Sequence, residues 1–121
     1  MFQALKSAKV LDAVTIDSSG NATVRSQALS LVNSDNFSIH LEWTGTPTST
    51  VTIWASNKPD PDEGDNDDDW VQDTSVSITG PAGAAGKFLV EAGNAGSRWY
   101  RIKIETSGGT GTFSAWVNAK V

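Results

Sequence analysis

Ten residues in mid-chain carry the densest chemistry: Asp60-Pro61-Asp62-Glu63-Gly64-Asp65-Asn66-Asp67-Asp68-Asp69. Seven are acidic, half of the 14 Asp and Glu in the sequence, and the net charge of −5 becomes +2 without those seven. Clustered carboxylates repel, and a hard cation with oxygen ligands relieves the repulsion. Asp60, Asp62, Asp65, Asp67 and Asp69 are therefore candidate calcium ligands. Their spacing does not match the EF-hand loop, which needs D-x-D-x-D-G and a glutamate at position 12. The competing reading is a solvated loop, the usual fate of like-charge blocks.

Tryptophan is the second signal, with five in 121 residues. Trp43 shares the phase of its apolar neighbours and reads as core. Trp54, Trp99 and Trp116 fall on the opposite phase to Ile53, Ile102 and Val117. An outward indole packs under a loop of its own domain, anchors a subunit or particle contact, or stacks on a sugar. Arg101 and Lys103 share the outward face with Trp99 and Glu105. That mixed face suits solvated cross-strand pairing, or an acidic surface such as this loop on a neighbouring copy. The candidate interface is Trp54, Trp99, Arg101 and Trp116.

His40, the only histidine, stands between Ser38 and Glu42 on the polar side of a strand. A hydrolytic triad needs a pocket and an oxyanion hole, which an exposed flat strand does not supply. One histidine cannot build a histidine metal site. Gly80-x-x-Gly83-x-x-Gly86 joins two strands and is no phosphate loop. No catalytic set is expected.

The elements that hold these residues are strands. Phe37-Ser38-Ile39-His40-Leu41-Glu42-Trp43 alternates apolar and polar at every step, so one face packs and the other meets solvent. Thr44-Gly45-Thr46-Pro47 breaks it. Val51–Ala55 follows, and the two are expected to form an antiparallel pair. Residues 75–79 and 99–105 alternate in turn, 87–91 and 112–118 read as further strands, 82–86 is a small-residue loop and 106–111 is read as a hairpin loop. Lys9–Ile16 is a further strand. Residues 22–32 read as a strand with a bulge, because Val24 and Leu29 fall on opposite phases. Ser and Thr number 26 and Gly 11, a turn-rich all-β profile. The expectation is one antiparallel β-sandwich of about eight strands, jelly-roll or Greek-key, over 10–121, with an arm at 1–9.

Composition narrows the function. The absence of cysteine excludes disulfides, thiolate metal sites and cysteine nucleophiles. The negative charge argues against nucleic acid as main partner. No apolar run reaches a membrane span, and the first residues lack the apolar stretch of a signal peptide.

Several segments together resemble small β-sandwich virion proteins of bacteriophages. They are Gly20-Asn21-Ala22-Thr23, Trp43-Thr44-Gly45-Thr46-Pro47, Ala55-Ser56-Asn57 with Trp70, Arg98-Trp99-Tyr100-Arg101-Ile102, and Thr106-Ser107-Gly108-Gly109-Thr110-Gly111-Thr112. The likeness spans residues 20–120. The stretch 60–69 departs from it, being longer than the short "S-N-D-G-x-x-W" connection of that pattern. The resemblance implies a non-enzymatic capsid decoration or cement protein, made in the host cytoplasm and displayed on the virion surface. Its partner would be the major capsid protein or another virion protein, and it would assemble as a homo-oligomer, most simply a trimer. Its acidic loop would face solvent. The rival implication is a glycan-binding host-recognition module of a spike or tail fibre.

Overall fold

A computed structural model describes residues 5–31, 36–75, 86–94 and 96–120. Nine strands lie within them: β1 (Leu5–Asp17), β2 (Thr23–Arg25), β3 (Leu29–Ser30), β4 (Asn36–Gly45), β5 (Thr48–Ser56), β6 (Val71–Gln72), β7 (Gly86–Asn94), β8 (Trp99–Gly108) and β9 (Thr110–Lys120). Sheet A runs β1-β9-β4-β7. Sheet B runs β2-β8-β5-β6, with β3 also on β8. All pairings are antiparallel. The chain passes back and forth between the sheets in the order of a jelly roll, staying in sheet B only from β2 to β3 and from β5 to β6.

Alternation builds the core. Phe37, Ile39 and Leu41 of β4 and Phe113, Ala115, Val117 and Ala119 of β9 are buried. They face Val51 and Ile53 of β5 and Tyr100, Ile102 and Ile104 of β8, which are buried too. The Phe37 and Tyr100 rings meet across the sandwich with centroids 4.8 Å apart. Each fully buried Val, Leu, Ile or Phe among them contributes roughly 1.5–3 kcal/mol.

Two expected hairpins are crossovers instead. β4 pairs with β7 and β9, while β5 pairs with β8 and β6, so β4 and β5 are not partners. Thr44–Pro47 turns a corner from one sheet to the other. The 106–111 segment does the same in reverse: β8 continues to Gly108 in sheet B and β9 starts at Thr110 in sheet A. The two corners lie back to back, and the Thr46 amide donates to the Thr110 carbonyl at 3.1 Å. Gly45 and Gly109 hold φ of 76° and 75°, values that favour glycine. A Cβ at Gly111 would overlap the Thr44 carbonyl oxygen. The glycines of both motifs thus serve one close backbone crossing.

The N-terminal third differs in detail. β1 starts at Leu5 and pairs with β9 from Leu5↔Lys120 onward, so residues 5–9 of the expected arm are strand. Residues 22–32 hold two short strands with the expected extra residue between them. Arg25 to Leu29 is four steps, opposite three steps from Lys103 to Tyr100. Ser26 fills the gap, its amide donating to the Ile102 carbonyl and its Oγ accepting from the Ile102 amide, both at 2.8 Å. The expected strand over 75–79, beyond Ser75, and the loop at 82–85 lie outside the described residues.

Candidate functional site

The outer face of sheet B is set by the odd residues of β8 and their neighbours. Arg25 on β2, Trp54 on β5, and Trp99, Arg101 and Lys103 on β8 all project away from the core strip. Residues 57–70 connect β5 to β6, whose short ladder pairs Ala55 with Val71 and Trp54 with Gln72. The acidic loop therefore returns over this basic and aromatic face, to which opposite charge holds Asp67, while Asp60, Asp62, Glu63, Asp65 and Asp68 stay exposed to solvent as expected.

Asp67 is the hub. Its Oδ1 accepts from Arg25 Nε and Arg101 Nη2, each at 3.0 Å. Its Oδ2 accepts from Arg25 Nη2 at 3.2 Å and Lys103 Nζ at 2.7 Å. Four donors occupy the roughly four acceptor positions of a carboxylate. The Arg25 fork above all, with Lys103, holds the Asp67 carboxyl far below the usual carboxylate range. Arg25 is raised in turn, chiefly by Asp67.

Arg101 is the buried member, only 2% exposed. Its guanidinium also donates to the carbonyls of Gly64 (3.2 Å) and Asn66 (2.6 Å) and lies 4.4 Å from the centroid of the Trp70 ring. Burial lowers its pKa against the opposing pull of Asp67. Its Nε and the Nε1 of Trp99 are buried with no hydrogen-bond partner among the described residues. Trp70 is buried under the loop and donates from Nε1 to the Asp62 carbonyl at 2.7 Å. Trp54 is half-buried, with Lys103 Nζ 4.8 Å from its ring centroid.

The remaining acids organise backbone. Asp62 accepts from the Gly64 amide (2.8 Å) and Asn66 Nδ2 (3.1 Å), and Asn66 first, then Gly64, lowers its pKa. Asp69 accepts from Lys58 Nζ at 2.6 Å and the Asp62 amide at 2.7 Å, which lower it likewise. Glu63 accepts from the Ala28 amide at 2.6 Å and ties the loop to the bulge after β2. Asp60 and Asp65 are exposed. Among the described residues no three His, Asp or Glu side chains are gathered to hold a metal. Of the five candidate calcium ligands, Asp62, Asp67 and Asp69 accept from amide, guanidinium and ammonium groups.

The expected interface set divides. Trp54, Trp99 and Arg101 lie on sheet B, whereas Trp116 lies on the outer face of sheet A. There Trp116 stands beside His40, edge to face at 5.3 Å, and Lys9 Nζ lies 5.0 Å from its ring centroid. His40 Nε2 and Glu42 Oε2 are 2.7 Å apart. The three side chains border an open hollow of about 280 Å³. Sequence reasoning missed Arg25, Asp67 and Trp70 as a unit. The available signal was a surplus of outward cations on neighbouring strands opposite seven acids in one connecting loop.

No protein-family model and no curated protein matches this chain. Solved structures do. A chain in the structure of infectious bursal disease virus Gx strain is similar over 98% of this chain and 32% of its own length, at 12% identity and TM-score 0.59. This chain thus spans about a third of that one. A CBM4 structure covers 95% of this chain and 71% of its own, at 14% identity and TM-score 0.49. A family two carbohydrate esterase from Cellvibrio japonicus covers 99% and 35%, at 12% identity and TM-score 0.38. At these identities the first likeness is one of fold, a β-sandwich jelly roll that also occurs in a virus structure, and the other two carry no further weight.

Proposed function

We propose that this protein is a non-enzymatic structural component of a bacteriophage particle, a decoration protein bound on the outside of the capsid. The observation that carries the reading is the asymmetry of the sandwich. The sheet B face is occupied by the chain's own acidic loop, while sheet A presents Trp116, His40, Glu42 and Lys9 to an outside partner. A jelly roll similar to one in a virus structure supports the particle context. The partner is the major capsid protein or another virion protein, and many copies on a symmetric shell multiply a modest contact. A protein that binds only the mature shell stabilises it by mass action. Particles lacking the protein should release their contents at a lower temperature, and adding purified protein should restore the release point. Equal release temperatures with and without it would overturn the cementing role.

A second reading draws on the hollow beside Trp116. An indole flanked by an imidazole, a carboxylate and an ammonium has the mix of flat apolar surface and hydrogen-bonding groups that a sugar ring needs. In that reading the chain is a host-recognition module of a spike or tail fibre. Copy number separates the two: hundreds per particle fit decoration, a few dozen or fewer fit a spike or fibre.

A further inference from the structure

β7 is the last strand of sheet A, paired with β4 on one side and with no described strand on the other. Its register with β4 is unbroken from Gly86 to Glu91 and shifts only beyond. Among the described residues nothing pairs with that side of β7, and an edge of that length offers a row of amides and carbonyls to another strand. In the middle of it stands Leu89, 65% exposed. Lys87 and Glu91 flank it at two residues on either side, exposed on the same outer face.

We propose that β7 is a self-pairing edge, through which two copies of the chain join antiparallel about a two-fold axis at Leu89. The sequence selects both the occupant and the register. A continuous sheet requires core-facing residues to oppose core-facing ones, so a slip of one position is excluded. A slip of two would set Leu89 against Lys87 or Glu91. The register centred on Leu89 sets Lys87 of each copy against Glu91 of the other, and leucine against leucine. Opposite charges and apolar pairs directly across a ladder are stabilising, and like charges are not. A lysine on an edge strand ordinarily discourages pairing, but here the same strand carries its own counter-charge at the matching position.

The pairing has a geometric consequence for sheet A. Trp116, His40 and Leu89 lie opposite one another across β9, β4 and β7. Joining two copies makes one eight-stranded surface with a single row from Trp116 to the second copy's Trp116. At about 4.8 Å per strand the two indoles stand roughly 24 Å apart. The association is two-fold, unlike the trimer expected from the sequence, and it stands whether or not the particle reading does.

The chain has no cysteine, so a single introduced thiol reports cleanly. In Leu89→Cys the two thiols would sit on residues whose Cα atoms are about 4.5–5.5 Å apart, within disulfide reach. Val71→Cys, at a site 72% exposed on the other sheet, is the control. Under mild oxidation Leu89→Cys should form covalent dimer at least tenfold faster than Val71→Cys. In the Leu89→Cys background, Lys87→Glu alone and Glu91→Lys alone should each slow dimer formation several-fold, since each sets like charges together. Mixing those two variants should restore the rate and yield the mixed dimer. Cross-linking no faster than the Val71→Cys control, or rates indifferent to both charge reversals, would overturn the proposal.

Discussion

The two outer faces of the sandwich start from the same material and end differently. Both place tryptophan, a basic residue and a carboxylate on the solvent side of alternating strands. On sheet B the carboxylate is Asp67, brought by a 14-residue connection across Arg25, Arg101 and Lys103, and the guanidinium of Arg101 is sealed from water. On sheet A the acid is Glu42, two residues from His40 on the same strand, and both stay nearly half exposed. An ion pair inside a covered cluster and a hydrogen-bonded pair on an open face respond differently to the loss of a partner, because only the first leaves a charge stranded away from water.

The largest expected effect follows from that difference. Asp67→Ala strands the Arg101 guanidinium under the loop and should cost about 3–5 kcal/mol in urea unfolding. A loss below about 1 kcal/mol would make sheet B as open as sheet A. Acid should act through the same residue. Asp67 is depressed in the folded chain, so below the ordinary aspartate range, near pH 4, the unfolded chain takes up the proton first. Stability from this group is therefore full at neutral pH, begins to fall as pH drops through about 4, and keeps falling toward the depressed folded value. Melting temperature against pH should show the fall, and Asp67→Asn should flatten it.

Smaller effects sharpen the contrast. Glu42→Ala on sheet A removes an exposed pair and should cost about 0–1 kcal/mol in the same assay. Calcium should do least. The donors around Asp67, Asp62 and Asp69 leave no gathered oxygen set, so millimolar calcium or a chelator should leave the melting temperature unmoved.

The strands were legible because alternation is a local property. β4, β5, β8 and β9 follow from Phe37–Trp43, Val51–Ala55, Trp99–Glu105 and Thr112–Asn118, and so does the extra residue after Arg25. Partnership was not legible. A Gly-Pro corner that folds a strand back on its neighbour and one that carries it to the opposite sheet use the same residue types. Only the close crossing of Gly45, Gly109 and Gly111 with the facing backbone distinguishes them. The acidic loop was legible only in part, for a related reason. Its charge density was plain, but whether that charge faced water, calcium or its own sheet depended on Arg25 and Lys103 arriving from distant strands. The solvated reading holds for Asp60, Asp62, Glu63, Asp65 and Asp68, which are exposed, and misses Asp67, which the surplus of positive charge on sheet B draws in.

Hydroxyl-radical footprinting of the tryptophans, free and on the particle, tests the account most directly. In the free protein Trp70, 4% exposed, should resist oxidation while Trp116 reacts. On the particle Trp116 should become protected, with Trp54 and Trp70 unchanged. Protection at Trp54, or new reactivity at Trp70, with Trp116 unaffected, would mean that sheet B opens to dock, and the assignment of the two faces would be reversed.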